Sequence, residues 1–169
     1  MADELVNANP LIHTVKKIER SDANLSLTQI VALPVCDPID SLEVYELLKD
    51  IKDPEHPNTL EELGVIDVKN IGIESIPVCG KCTLTYVVIT FTPTVPHCSM
   101  AALIGLCIRV KLMRTLPRCL KIKIYITEGT HNQEESVNKQ LNDKERVAAA
   151  LENPNLLRLI NSCLSFKPT

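Results

Sequence analysis

Thr83-Leu-Thr-Tyr-Val-Val-Ile-Thr-Phe-Thr92 runs through Pro93 into Thr94-Val-Pro-His-Cys-Ser-Met100 and the apolar stretch Ala101-Ala-Leu-Ile-Gly-Leu-Cys-Ile108. The first segment predicts a strand. Apolar residues on both of its faces from Tyr86 to Phe91 make it a central one. Pro93 and Pro96 end it, because each fixes φ and lacks an N–H. Cys98 to Met113 then reads as a helix, apolar almost all round in its first half and therefore buried. Arg109, Lys111 and Arg114 fall in its last turns, where cations suit the negative end of the helix dipole. Beyond Pro117, Leu120, Ile122, Ile124 and Ile126 alternate with Lys121, Lys123 and Tyr125, the period of a half-buried strand.

Upstream, Asp40 and Glu43 have the spacing of a capping box. Leu42, Tyr45, Leu48 and Val44, Leu47, Ile51 give the helix it opens an apolar face. Pro54 requires that helix to stop by Asp53. Thr59 and Glu62 form a second capping box for one short turn that Gly64 ends. Val65 to Val78 is rich in Val and Ile. Ile66 and Val68 are out of phase with Ile71 and Ile73, and a bulge near Asn70 would reconcile them. Downstream, Gln133 to Glu152 predicts one long polar helix with Val137, Leu141, Ala148 and Leu151 inward. Asn153-Pro154 restarts the chain as a last helix. The order is helix, two strands, helix, strand, two helices. The class is therefore α+β, a small mixed three-stranded sheet with packed helices. Residues 1–35 read as a mobile N-terminal arm with one ordered patch at Asn9-Pro10-Leu11-Ile12, and residues 36–169 as a single domain.

Bulk properties narrow the function. The net charge of −3 and 3% aromatic residues give no basis for direct nucleic-acid binding. The longest apolar run, Met100 to Ile108, is nine residues, whereas a membrane span needs about 20. The N-terminus has no basic, apolar signal pattern. Seven cysteines cannot all pair within one chain, so free thiols in a reducing compartment are expected.

Cys98 is the first candidate for chemistry. A helix start offers unpaired N–H groups and positive dipole, which lower a thiol pKa. His97 beside it could ligate or act as a base. The plainer reading is a small buried Cys. Glu128 and His131, after the third strand, could join His97 and Cys98 in a nitrogen, sulfur and oxygen donor set for zinc if the strands bring the loops together. Otherwise they are a solvated loop with a helix cap. Cys79-Gly-Lys-Cys82 is half a zinc site or, more simply, a two-residue hairpin with Gly at its turn. Asp53-Pro-Glu-His-Pro57 is a Pro-framed turn, or a functional loop carrying Asp53, Glu55 and His56. Cys36, Cys107, Cys119 and Cys163 read as packing residues.

These segments carry a resemblance. Asn9-Pro10, Asp37-Pro-Ile-Asp40, Asp53-Pro-Glu-His-Pro-Asn-Thr-Leu-Glu-Glu-Leu63, Phe91-Thr-Pro-Thr-Val-Pro-His-Cys-Ser-Met100, Leu103-Ile-Gly-Leu106 and Val137-Asn-Lys-Gln-Leu-Asn-Asp-Lys-Glu-Arg-Val-Ala-Ala-Ala-Leu-Glu-Asn-Pro154 closely resemble the MIP-eighteen family. That family is component two of the cytosolic iron–sulfur assembly (CIA) targeting complex, and is similar to bacterial SufT and PaaD. The resemblance runs from about residue 8 to the C-terminus. It implies an adaptor, not an enzyme, that helps deliver clusters to cytosolic and nuclear apoproteins. It implies three kinds of partner: a WD40 propeller CIA protein, a large HEAT-repeat adaptor and iron–sulfur apoprotein clients. It maps the reactive cysteine to Cys98, metal contacts to His97 and Glu128, and the Asp-Pro-Glu segment to Asp53 and Glu55. A transient iron–sulfur cluster on Cys98, zinc, and a domain-swapped homodimer are further implications, as is a cytoplasmic location with a nuclear one open. The long helix near Asn138, Lys139, Gln140, Asp143 and Lys144 is the surface the resemblance assigns to partners. Glu128-Gly-Thr-His131 looks like a second branch of the family, and Cys79-Gly-Lys-Cys82 belongs to no family pattern. The alternatives are a cysteine-dependent thiol enzyme and a zinc-binding structural module.

Overall fold

The computed structural model describes residues 11–14, 39–79, 82–95 and 100–164. The chain runs through helix α1 (Ser41–Leu48), strands β1 (Ile71–Cys79) and β2 (Cys82–Phe91), helix α2 (Ala101–Thr115) and strand β3 (Lys121–Ile126). Helices α3 (Glu134–Asn142), α4 (Lys144–Glu152) and α5 (Pro154–Leu164) complete it. This is the expected α+β class. The sheet order is β1-β2-β3, with β1 antiparallel and β3 parallel to the central β2. A parallel pair needs a crossover, and α2 supplies it.

Local signals act as their chemistry requires. Asp40 Oδ1 accepts the Glu43 N–H at 2.6 Å and Glu43 Oε2 accepts the Asp40 N–H at 3.3 Å, closing the capping box of α1. Glu62 and Thr59 make the same reciprocal pair, and Gly64 ends that turn at φ 63°, where a side chain would be strained. Asn153 Oδ1 accepts from the N–H groups of Asn155 and Leu156 and caps α5.

Three expectations are corrected. There is no bulge at Asn70. Val68–Asn70 is a 3-10 turn capped by Asp67, and β1 starts only at Ile71, so the phase change is an element boundary. The ladder's register shift lies between Pro77 and Cys79. The faces of β2 are unequal: Val87, Ile89 and Phe91 are buried, while Tyr86, Val88 and Thr90 are half-buried. The helix expected over 133–152 is two helices broken at Asp143, whose ψ of 115° is extended and whose carboxylate caps α4. The break shifts the inner stripe by one residue: Val147 is buried and Ala148 exposed.

The core lies between the Val87–Ile89–Phe91 face and α2, with Val44 and Leu48 of α1, Ile124 of β3, Leu141 of α3 and Ile160 of α5 all fully buried. Helix α3 crosses α2 at Gly105, where a Cβ would stand 2.8 Å from Leu141 Cδ2. No described helix is long and apolar enough to cross a membrane. Most of the expected arm lies outside the described residues. Leu11 and Ile12 are exposed, and the His13 N–H donates to Glu62 O at 2.7 Å.

Candidate functional site

Parallel pairing puts the C-terminal ends of β2 and β3 side by side. Thr127 N–H donates to Phe91 O at 2.8 Å, and the Thr92 and Thr127 hydroxyls are 2.7 Å apart. The chain leading towards Thr94 and the loop Glu128–His131 therefore leave the sheet from one end. That is the topological condition for the two loops to meet. His97 and Cys98 themselves, and with them the expected helix start at Cys98, lie outside the described residues. Among the described residues α2 begins at Ala101, after Met100, with no side-chain cap.

The loop after β3 is tightly built. Thr130 Oγ1 donates to Thr127 O at 2.6 Å, and Glu134 Oε2 accepts the Gly129 N–H at 2.8 Å. Gly129 takes φ 76°. His131 is buried, at 8% exposure, and its Nδ1 accepts the Gln133 N–H at 3.1 Å. Glu128 is exposed. The loop is thus more ordered than a solvated cap, yet no group of three His, Cys, Asp or Glu that could hold a metal exists among the described residues. A closed zinc site would need two donors from outside them.

Cys79 and Cys82 are Cα partners across the β1–β2 hairpin, the positions that flank a two-residue turn. Asp53 turns inward. It is 6% exposed, and its Oδ1 accepts the N–H groups of Glu55 at 2.7 Å and His56 at 3.0 Å. Asp53 thus organises the Pro-framed turn, while Glu55 is exposed and His56 half-buried.

Lys52 N–H donates to Cys163 O at 3.1 Å, tying α5 to this turn. There Cys107 and Cys163, both buried, form a thiol pair that sequence spacing did not show. Cys163 ionises first of the two, because the Cys107 thiol bonds to the resulting thiolate. That same bond, with burial, holds Cys107 well above the ordinary thiol range. Cys119 was expected to pack, but it is exposed, on the turn closed by Leu120 N–H to Pro117 O. Cys36 lies outside the described residues.

The α3–α4 surface divides. Asn138 and Asn142 face β3, not solvent. Asn138 Oδ1 accepts the Ile126 N–H at 2.8 Å. Asn142 Oδ1 accepts the Ile124 N–H at 3.1 Å, and its Nδ2 donates to Ile124 O at 2.7 Å. The two amides thus take the place of a neighbouring strand along the open edge of β3. Asp143 caps α4 and pairs with Arg146 at 3.6 Å. Lys139, Gln140 and Lys144 are exposed. Arg109 also departs from expectation: it is 9% exposed and donates to Leu141 O at 2.8 Å and Ile122 O at 3.4 Å, so it bridges α3 and β3 and does not answer a dipole.

The family model for iron-sulfur cluster assembly proteins matches residues 42–124, from α1 into β3. The match to whole proteins is broader. The chain is 49% identical to Protein AE7 of Arabidopsis thaliana over 97% of this chain and 98% of that protein. It is 50% identical to cytosolic iron-sulfur assembly component 2B of Mus musculus over 96% and 93%, and 47% identical to MIP18 family protein galla-2 of Drosophila melanogaster over 99% of both. The chain belongs to the MIP18 family.

Proposed function

We propose that this protein is a delivery adaptor of cytosolic iron–sulfur assembly and not an enzyme. The observation that carries the reading is the 50% identity with cytosolic iron-sulfur assembly component 2B across 96% of the chain. In this reading the cluster is cargo. Cys98 is the thiol that meets it or a client, and its position three residues before Ala101 suits a thiolate eased by the α2 dipole. Lys139, Gln140 and Lys144 supply exposed contacts for the WD40 and HEAT-repeat partners. Asp53, through its turn, presents Glu55 and His56. Zinc, if held, takes Glu128 or His131 together with His97 and Cys98. The work is cytoplasmic, with nuclear clients reached through the same contacts.

Anaerobic co-purification of the untagged full chain tests this. Wild-type protein should bring down the propeller and HEAT-repeat partners and load client enzymes with iron. Lys139→Glu with Lys144→Glu should keep the melting temperature and lose the partners. Cys98→Ser should keep the partners and lose client loading. Normal client maturation in Cys98→Ser removes the reactive centre. Partner binding unaffected by the lysine reversals moves the interface elsewhere. A turnover that survives the reversals but not Cys98→Ser makes the protein a thiol enzyme.

A further inference from the structure

Between α2, the first half of β3 and α4 lies a groove of about 850 Å3. Among the described residues five cations line it, Arg109, Arg118, Lys121, Lys123 and Lys144, and no Asp or Glu does. Its walls are Leu112, Leu116, Val147 and Leu151, and Ile122 of β3 joins them. A chain of net charge −3 thus concentrates uncompensated positive charge on one apolar recess. Lys123 Nζ lies 4.4 Å from the centre of the Tyr86 ring.

Arg109 sharpens the point. It is nine-tenths buried, its Nε has no hydrogen-bond partner among the described residues, and its two acceptors are neutral carbonyls. A buried guanidinium without a carboxylate is costly, and a ligand carboxylate in the groove would relieve that cost.

The edge of β3 gives the ligand its form. Asn142 and Asn138 cover this edge at Ile124 and Ile126. The pleat turns Ile122 to the same side, but its carbonyl receives only the long 3.4 Å contact from Arg109. The uncovered backbone edge is therefore short, centred on Ile122, and it lies beside the apolar walls and the cations. An extended peptide entering there can reach the backbone at Ile122, set alternate apolar side chains on the walls and turn carboxylates to the cations.

We propose that this groove docks an acidic segment of a partner protein in extended conformation, with apolar residues alternating between Asp or Glu. The proposal rests on the groove's own chemistry and stands whether or not the Cys98 reading holds. A nucleic acid would gain little from the aliphatic walls. A lipid surface would not use a recessed strand edge.

The test uses the full chain and a fluorescein-labelled peptide alternating Glu and Leu. It should bind with anisotropy that saturates and falls with salt. A polyglutamate of equal length should bind about tenfold more weakly or worse, since it lacks the apolar partners. Arg118→Glu with Lys121→Glu, both exposed positions, should weaken the Glu-Leu peptide about tenfold or more at unchanged melting temperature. Arg118→Lys with Lys121→Arg should restore binding. Bound peptide should slow hydrogen exchange at Ile122. Reversal without effect, equal binding of polyglutamate, or no saturation overturns the proposal. Tighter binding of oligothymidylate or of phosphatidylserine vesicles overturns it in favour of those ligands. Lys139→Glu, outside the groove, separates the two readings. If partner co-purification fails there while the peptide still binds, the adaptor surface and the groove are distinct.

Discussion

Replacing Asn142 with Ala tests whether α3 is held to the sheet by side-chain mimicry of a strand. The substitution strips both the N–H and the C=O of Ile124 of their partners, at 3.1 and 2.7 Å. Each such bond contributes about 1 kcal/mol net, and the two together about 2 kcal/mol. The higher figures for sealed groups do not apply, because the site is only part-buried and water can reach the edge. Ala returns about 0.5 kcal/mol of helix propensity, leaving a loss of about 1.5 kcal/mol. For a chain of this size that is a fall of roughly 3–6 °C in melting temperature. Calorimetry reads the fall. Hydrogen exchange reads its location: the Ile124 amide should lose protection, while Ile89 of β2, whose own face is sealed, should not. Asn138→Ala, which removes one bond to Ile126, should cost about half as much. An unchanged melting temperature together with an Ile124 amide still protected in Asn142→Ala would refute strand mimicry and return these amides to the exposed surface.

Gly105→Ala should destabilise by about 1–3 kcal/mol in urea titration, because its methyl meets Leu141 where α3 crosses α2. Leu141→Ala in the same chain should recover part of the difference between Gly and Ala at 105. Tyr45 donates to Glu61 at 3.0 Å, and burial first, then that bond, push its phenol to about 12. The unfolded phenol ionises near about 10, so this stability is full below pH about 10 and is lost as pH rises towards 12. Tyr45→Phe should flatten the stability curve across that window. Brief iodoacetamide treatment followed by mass spectrometry should label exposed Cys119 well before buried Cys163, with Cys107 last; early labelling of Cys107 would contradict the thiol pair.

The sequence announced what is decided locally. Asp40 with Glu43, Thr59 with Glu62 and Asn153 before Pro154 each complete their hydrogen bonds within three residues, so spacing alone identifies them. The alternation of Ile122, Ile124 and Ile126 likewise reports a single strand's two faces. Where a residue's partner is remote, the same reading misled. Gln133 to Glu152 has helical composition throughout, yet Asn142 is committed to Ile124 and Asp143 to the N–H groups of Glu145 and Arg146. The break follows from those two commitments, one tertiary and one local, and moves Val147 inward. The Val65–Ile73 phase change had two local explanations, a bulge or a turn. Asp67, able to cap Val68–Asn70, was the available signal for the turn.

Cations show the same limit more sharply. Arg109 follows an apolar helix half, Lys121 and Lys123 alternate with isoleucines, and Lys144 opens a helix after Asp143. Taken one element at a time, each has a sufficient local account: dipole, strand face, solvated helix. Only the crossover β2–α2–β3 and the return of α4 past the edge of β3 put them around one recess. A local account predicts that each cation has water or a neighbouring acid beside it. The exposed Arg118, Lys121 and Lys144 meet that expectation; Arg109 does not, being buried at leucine and valine walls with, among the described residues, no lining carboxylate and no partner for its Nε. Separate accidents of solubility do not account for five cations around one apolar recess with no Asp or Glu among its described lining residues. Exclusion of like charge from a ligand's seat does so in one step, and this favours binding over solubility as the cause of the pattern.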